Sequence, residues 1–236
     1  MVILNIETST NCCSAAISID GVCMASRANL EGANHASELP VFIEQLLSEA
    51  RQHNWKLNAV SLSQGPGSYT GLRIGASISK GICYGLSIPL IPIDTLQLLS
   101  ACVIQSTIHQ WAANAVLCPM IDARRMEVYT ALYHPQDLQR QGEVQAKIID
   151  EHSFGDVLSQ HPMYFFGNGA AKCQQVLTSS NVHFIDGIVP DAQYMGQLAE
   201  QQTAQMLDIK QVAYYEPFYL KEFVAAPSHI KGLETK

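Results

Sequence analysis

The order of predicted strands and helices occurs twice along this chain of 236 residues. In the first half, two alternating runs of apolar and small residues flank Asp20-Gly21, a dipeptide typical of β-hairpin turns. Apolar residues at helical spacing follow, and short apolar runs then alternate with further helical segments. The predicted strands are 2–6, 13–19, 22–28, 59–63 and 90–93. Three helices are predicted: one over 37–51 capped by Ser37, one that follows the glycine-rich loop 64–71 and ends at Tyr84, and one capped by Thr95.

The second half has the same order of elements, although few of its residues match those of the first half. The predicted strands are 116–121, 127–133, 144–149, 163–166 and 182–185, and the predicted helices are 154–160, 170–177 and one capped by Asp191 that runs to residue 207. A hairpin followed by alternating helices and strands is typical of a mixed β-sheet covered by helices. We therefore expect an α/β protein of two domains, residues 1–104 with 212–236 and residues 105–211, with the segment from 214 partly folded back onto the first domain and the residues from 227 mobile.

The composition is apolar and acidic. Hydrophobic residues make up 47% of the chain and charged residues 15%, which is too apolar for a disordered protein. The 14 Lys and Arg against 21 Asp and Glu give a formal net charge of −7. With so few cations to displace counterions from a phosphate backbone, unaided tight binding to nucleic acid is not expected.

The first residues and the seven cysteines predict a cytoplasmic location. The sequence shows no basic leader followed by a long apolar stretch, and no apolar run approaches the ~18 residues of a membrane span. The cysteines include no C-x-x-C pair and mostly lie in apolar segments. We therefore expect reduced, buried thiols.

The turn after the first strand is the first of three segments that we expect in a cleft between the two halves. Its residues, Glu7-Thr8-Ser9-Thr10, place an acid beside three hydroxyls. Hydroxyls and turn N–H groups can hold an anion while the acid orients water, which indicates a phosphate or metal-water site. The same residues are typical of a turn whose side chains only satisfy the backbone, and both interpretations stay open.

The second segment is the glycine-rich loop with Gly65, Gly67 and Ser68. Glycine permits positive φ and close approach of another segment, and a helix capped by Ser68 presents free N–H groups to an anion. The loop lacks the lysine of a phosphate-binding P-loop and does not match the dinucleotide fingerprint. By itself it is weak evidence for nucleotide binding.

The third segment is the turn with Asp122, Arg124 and Arg125, accompanied by Gly167 and Gly169. A loop that wraps a phosphate with its backbone favours glycine where this turn has arginine. We therefore expect the arginines to obstruct such a cradle and to pair with acids or with a partner instead.

Small residues recur at every fourth position of the helix after the glycine-rich loop. They are Gly71, Gly75, Ser79 and Cys83. Such a face lets another helix approach closely, either inside the fold or across a subunit interface. An adjoining apolar stripe favours the interface, and its members are Ile74, Ile78 and Ile82.

The patterns of metal sites and of one common nucleophile are missing from the sequence. None of the eight histidines forms a pair three or four residues apart, the spacing that places two imidazoles on one helical face. No G-x-S-x-G motif is present. We therefore expect no metal site in this chain.

Six segments together resemble one protein family. They are 3–9, the hairpin turn 20–21, 35–39, 65–75, 121–124 with 127–129, and 216–220. By these segments the chain resembles the bacterial TsaB family, also called YeaZ, along nearly its whole length. The run G-P-G-S-Y-T-G-L-R at 65–73 is the most specific of them.

The resemblance implies a duplicated actin-like fold, of the ASKHA and ribonuclease H-like type, and a role in making threonylcarbamoyladenosine beside the anticodon of tRNAs that read codons beginning with A. In that family the transferase is the paralogue TsaD, which holds the metal and the nucleotide. A TsaB-type chain is its essential, non-catalytic partner, forms homodimers in isolation, is joined by an ATPase called TsaE, and reaches tRNA only through the complex. The resemblance therefore implies no cofactor and no catalytic residue here.

The resemblance also assigns residues to two surfaces. The partner and dimer interface would lie on the first two helices, at Leu39, Phe42, Ile43, Leu46, Gly71, Ile74, Gly75, Ile78, Ser79 and Ile82. The cleft would be a vestigial nucleotide site, formed by Glu7, Thr8, Ser9, Gly65, Gly67, Ser68, Asp122, Arg124, Gly167 and Gly169.

The residues themselves leave two other functions open. The chain could be an ATP-dependent carbamoyl or phosphoryl transferase that uses Glu7, Ser9 and the loop 65–71. Micromolar binding of ATP with magnesium would favour this function. The chain could also be a glycoprotease-like metallopeptidase. Elemental analysis that found much less than one equivalent of bound metal would exclude this function.

Overall fold

The first of two mixed β-sheets is formed by the first half of the chain. The structure is a computed structural model that describes residues 1–32, 34–106 and 111–221. The strands of this sheet are β1 Val2–Glu7, β2 Cys13–Ile19, β3 Val22–Asn29, β4 Ala59–Gly65 and β5 Leu90–Asp94. Their order is β3-β2-β1-β4-β5. The first three strands are antiparallel, whereas β4 and β5 run parallel to β1.

The second sheet repeats this topology. Its strands are β6 Val116–Asp122, β7 Glu127–Tyr133, β8 Arg140–Ile148, β9 Met163–Phe166 and β10 Val182–Ile185. Their order is β8-β7-β6-β9-β10, with the first three antiparallel and the last two parallel to β6. Two mixed sheets with the same strand order are the hallmark of a duplicated actin-like fold, so the predicted fold class is confirmed. The main difference in strand bounds is β8, which begins at Arg140 and not at 144.

Three long helices belong to the first half. They are α1 His35–Gln52, α2 Tyr69–Leu86 and α3 Thr95–Ser106. Ser68 caps α2 as predicted, because its hydroxyl accepts a hydrogen bond from the backbone N–H of Gly71. The other two predicted caps are wrong.

The chain enters α1 and α3 differently from the prediction. Ser37 lies inside α1, and its hydroxyl donates to the carbonyl of Asn34, the residue that precedes the helix. Asp94, one residue before the predicted cap, accepts from the N–H groups of Leu96 and Gln97. The Thr95 hydroxyl instead accepts from the backbone N–H of Gly65 in the glycine-rich loop.

The predicted helices of the second half are shorter than expected. The helix over 154–160 is reduced to α4 Gly155–Leu158, and the helix over 170–177 to a 3-10 turn over Ala171–Cys173. The first segment contains Gly155 and Ser159, and the second is flanked by Gly167-Asn168-Gly169 and Ser179-Ser180. These residues favour turns over continued helix. Asp191 caps as predicted, but the helix after it is broken into a 3-10 turn over Ala192–Tyr194, α5 Gly196–Gln201 and a 3-10 turn over Thr203–Gln205. A further helix, α6 Ile209–Tyr214, was not predicted.

One of the buried clusters joins the two sheets. It contains residues of β1 and β5, residues of β6 and β7, the apolar residues of α3, and α5. The segment 192–201 packs on β2, where a Cβ on Gly196 would lie 2.7 Å from the Cβ of Ser18. The division of the chain at residues 105 and 211 stays a prediction.

The segment after α6 folds back over the first half, as predicted. The backbone N–H of Phe218 donates to the carbonyl of Gln64 at 2.7 Å, and Lys221 pairs with Glu127 at the start of β7. The predicted mobile residues from 227 lie outside the described part of the chain.

All seven cysteines are free thiols, and every one except Cys23 is buried. None of the helices in the described residues combines the length and apolar character of a membrane span.

Candidate functional site

A cavity of about 460 Å³ lies where the predicted cleft segments meet. Its walls come from the turn after β1, the loop before α2, the turn after β6, Asn168 and the chain from Phe218 to Lys221. Five of the ten residues predicted for this cleft line it, and they are Ser9, Gly67, Ser68, Asp122 and Arg124.

The other five predicted cleft residues are buried beside the cavity or packed against backbone. Thr8 and Glu7 are fully buried. A Cβ on Gly65 would lie 2.5 Å from the carbonyl oxygen of Phe218, and one on Gly169 would lie 2.9 Å from the carbonyl carbon of Ile121. Gly167 has a φ of +99° and packs against the backbone of Met120. These glycines allow segments to pack closely, and they do not line the cavity.

Glu7 has both carboxyl oxygens engaged by neighbouring groups. Oε1 accepts hydrogen bonds from the backbone N–H and the hydroxyl of Ser9, the latter at 2.6 Å, and Oε2 accepts from the hydroxyl of Ser63. Burial raises the pKa of this carboxyl to about 6, and the hydrogen bonds from Ser63 and Ser9 oppose that rise. The carboxyl therefore fastens the turn after β1 to β4.

The start of α2 forms one wall of the cavity. The backbone N–H of Ser68 donates to the carbonyl of Ser9 at 2.6 Å, which joins the glycine-rich loop to the turn after β1. A Cβ on Gly67 would overlap that same carbonyl, so the close approach requires glycine. The N-terminal end of α2 is thereby placed at the cleft, as the sequence predicted.

The turn after β6 forms the opposite wall. Arg124 and Arg125 have φ angles of 71° and 48°, the left-handed region that glycine adopts most readily. Asp122 pairs with Lys172, and its backbone N–H donates to the Asn168 side chain at 2.9 Å. Arginine thus stands where the backbone favours glycine, and Arg124 lines the cavity. Neither arginine forms a salt bridge with an acid of the described residues, so the predicted pairing with acids is not found there, and pairing with a partner stays a prediction.

The small-residue face of α2 is covered by the chain itself. A Cβ on Gly71 would overlap the carbonyl oxygen of Thr8, and one on Gly75 would overlap the Thr8 hydroxyl. Ser79 and Cys83 are fully buried. The interpretation that this face receives a partner helix is wrong, because the turn after β1 and β4 already occupy it.

The neighbouring face of α2 is the one that reaches the surface. Ile74, Ile78 and Ile82 are half-buried, as is Phe42 on α1. The other predicted interface residues of α1 lie in the core under the helix, and they are Leu39, Ile43 and Leu46.

A shallow groove of about 530 Å³ runs between α1 and α2 over this face. It is lined by Ala36, Pro40, Tyr69, Thr70, Arg73, Ile74, Ser77 and Ile78. Ser77, which is exposed and lines the groove, was not predicted for the interface, and neither was exposed Gly81, one turn further along α2. Their signal was present, because 77, 81 and 85 are also small residues four positions apart.

The contribution of the C-terminal segment to the cleft was also missed. Phe218, Tyr219 and Lys221 line the cavity, and the Tyr219 ring lies 5.0 Å from the ring of Tyr69. No local pattern indicates this contact, since the two rings are far apart along the chain.

His, Cys, Asp and Glu side chains are the usual protein ligands of metal ions. Within residues 1–32, 34–106 and 111–221, no three such side chains lie close enough to hold a metal ion.

Comparison with known proteins agrees with the geometry. The model of a family described as TsaD, tRNA N6-adenosine threonylcarbamoyltransferase, matches residues 29–227. The chain is 30% identical to the tRNA threonylcarbamoyladenosine biosynthesis protein TsaB of Escherichia coli, over 95% of this chain and 96% of that protein. It is 28% identical to the protein of the same name from Haemophilus influenzae, over 95% of both chains.

A solved structure shares the fold. The chain matches YeaZ from Pseudomonas aeruginosa with a TM-score of 0.76 and 23% identity, over 93% of this chain and 99% of that one. The family model spans well over half of the sequence, and the match to the Escherichia coli protein extends along nearly its full length. The chain therefore belongs to the TsaB (YeaZ) family of tRNA threonylcarbamoyladenosine biosynthesis proteins, within the wider family that the TsaD model describes.

Proposed function

We propose that this chain acts in the biosynthesis of threonylcarbamoyladenosine in tRNA, as the non-catalytic partner of a TsaD-like transferase. Family membership supports the pathway, because the named relatives are biosynthesis proteins for this nucleoside. The observation that carries the partner role is the apolar groove between α1 and α2.

The groove has the composition of a protein interface. Pro40, Ile74 and Ile78 supply apolar surface, and Arg73 is the charged residue among those that line it. Contiguous apolar surface with few charges is typical of the centre of an interface. Without the transferase, a second copy of the chain would cover the same groove, which would give a homodimer.

The cleft supports a non-catalytic role. A carboxylate that orients water or a metal must reach the substrate, whereas the Glu7 side chain is fully buried and hydrogen-bonded to Ser9 and Ser63. Asp122 on the opposite wall is paired with Lys172. In this proposal the transferase supplies the chemistry, a TsaE-like ATPase joins the complex, and tRNA is modified at the transferase.

The partner role is tested by titrating the purified chain with its TsaD-like paralogue in a calorimeter. Ser77→Arg places a long cation in the groove, and it should abolish binding without unfolding, because Ser77 is exposed. Ser48→Arg is the matched control, since Ser48 is exposed on another face of α1, and it should bind as the wild type does. Wild-type affinity of Ser77→Arg would refute this docking surface.

Gly75→Arg is not a suitable test of docking. Its side chain would begin inside the core against Thr8, so loss of binding would report loss of fold. Measurement of ATP binding with magnesium addresses the transferase alternative, and micromolar affinity of the isolated chain would favour it over the partner role.

We also propose a cytoplasmic location. The seven free thiols support it, because cysteines remain reduced in that compartment.

A further inference from the structure

A second cavity, of about 490 Å³, runs along α2 beside the C-terminal segment. It is lined by Tyr69, Arg73, Ala76, Ser77, Lys80, Tyr215, Glu216, Pro217, Tyr219 and Lys221. Tyr69, Tyr219 and Lys221 also line the cleft. The two cavities therefore adjoin at the pair of tyrosine rings, and together they form one surface that we call the basic-aromatic channel.

The channel is basic although the chain is acidic. Four cations line it, Arg124 and Lys221 on the cleft side and Arg73 and Lys80 along α2, against two acids, Asp122 and Glu216. Asp122 is already paired with Lys172, and Lys221 with Glu127, which leaves three unpaired cations against Glu216. In a chain with a formal net charge of −7, this is a local excess of positive charge.

Several of these cations have no carboxylate partner. Among the residues that the structure describes, Arg73, Lys80 and Arg124 form no salt bridge. Lys80 instead donates to the backbone carbonyl of Ala213, and Arg73 to the hydroxyl of Tyr69. Their full charges remain available to an anion.

Planar groups lie between the cations. The rings of Tyr69 and Tyr219 are 5.0 Å apart with 40° between their planes, and the Arg73 guanidinium lies 5.3 Å from the centre of the Tyr69 ring. Phe218 adds an exposed ring on the cleft side. Cations that alternate with aromatic rings along a groove are typical of surfaces that bind single-stranded nucleic acid, where phosphates meet the cations and bases stack on the rings.

We propose that the basic-aromatic channel binds a single-stranded segment of RNA. The choice of RNA as the occupant rests on the proposed function, because the pathway modifies tRNA. The inference adds to that function a direct contact between this chain and RNA. With only three unpaired cations the contact is weak, and it contributes to positioning RNA in the complex. An acidic peptide would match the charge but would leave the rings without stacking partners.

The test is fluorescence anisotropy of a labelled single-stranded RNA of about 12 nucleotides with the full chain, at about 50 mM and about 200 mM salt. We expect binding that weakens at the higher salt, because phosphate contacts release counterions. Lys80→Gln with Arg124→Gln removes one unpaired charge from each end of the channel and should weaken binding by roughly tenfold. Tyr219→Leu keeps the apolar bulk, removes the ring and should weaken binding by at least about fivefold.

The matched control is Arg51→Gln with Lys56→Gln, which removes the same net charge from exposed positions outside the channel. Equal loss in the two double variants, absence of binding at the lower salt, or equal competition by polyglutamate would overturn the proposal. Tyr69, Arg73 and Ser77 line both the channel and the groove between α1 and α2, whereas Lys80 and Arg124 lie outside the groove. The variant of Lys80 and Arg124 therefore tests RNA binding without changing the docking groove. If the chain binds the transferase but not RNA, only the RNA proposal fails. If it binds RNA but not the transferase, only the partner proposal fails.

Discussion

Gly71 packs directly against the carbonyl oxygen of Thr8, at a distance that leaves no room for a Cβ atom. Helix α2 therefore rests on the backbone of the turn after β1. The contact fixes the N-terminal end of α2 beside the cleft, and it turns the half-buried isoleucines of the same helix toward the surface. One close approach thus positions both the cleft wall and the docking groove.

Gly71→Ala should destabilise the protein by about 3 kcal/mol or more, because the backbone it meets cannot move aside as a flexible side chain can. Gly81→Ala is the matched control on the same helix, where a Cβ would meet nothing within 4 Å. It should stabilise the protein by about 0.5–1 kcal/mol through helix propensity. Urea unfolding measures both, and similar effects of the two changes would contradict the packing described.

Glu7 should make the free energy of unfolding fall as pH rises from 4.5 to about 6. Burial raises the pKa of its carboxyl, so over this range the folded state keeps a proton that the unfolded state releases. A shift from 4.5 to about 6 corresponds to about 2 kcal/mol, present below this range and lost above it. The Glu7→Gln variant has no carboxyl to titrate at this position, so its free energy of unfolding should lack this pH-dependent contribution.

The measurement for Glu7 is urea unfolding of wild type and variant at about pH 4 and about pH 7.5. Other groups titrate equally in both proteins, so the informative quantity is the difference between them at each pH. A difference that stays constant between the two pH values would show that Glu7 has an ordinary pKa.

Ser68→Ala should destabilise the protein by about 1 kcal/mol, because the N–H of Gly71 loses the hydroxyl that accepts its hydrogen bond. Thr70→Ala changes another exposed hydroxyl in the first turn of α2 and should have little effect. Thermal or urea unfolding distinguishes the two, and equal effects would mean that the cap contributes nothing specific.

Asp94 joins the two sheets as well as capping α3. Its carboxylate accepts from Leu96 and Gln97 of α3 and pairs at 2.9 Å with Arg140 at the start of β8. Asp94→Ala should cost about 2–4 kcal/mol, since both the cap and the charged hydrogen bond are lost. Asp94→Asn keeps an acceptor for the cap and should cost about half as much in urea unfolding. Equal costs would assign the whole effect to the ion pair.

Most strands were predictable because their signals are local, and part of the cleft wall was predictable from the order of the elements. Alternation of apolar residues located most of the strands, and Asp20-Gly21 marked the first hairpin. Ser68 was recognised as a cap because hydroxyl residues at that position have a definite hydrogen-bonding role. The glycine-rich loop and the turn at Glu7 met in space because the repeated order of elements fixes where strands end.

The orientation of α2 was not predictable in the same way. A row of small residues has the same letters whether it packs on its own strand or on another chain, so Gly71 and Gly75 could not decide between the two. Thr95 and Asp94 are both good caps, and only the position of the Gly65 N–H assigns Thr95 to the loop. The contact between Tyr219 and Tyr69 depends on the path of the whole chain and has no local signal.

The C-terminal segment is bonded to the first sheet through Phe218 and Gln64 and to the second through Lys221 and Glu127. Separation of the two sheets would break one of these two contacts, so the segment acts as a restraint on opening of the cleft. Truncation just after α6 would remove both contacts and with them this restraint.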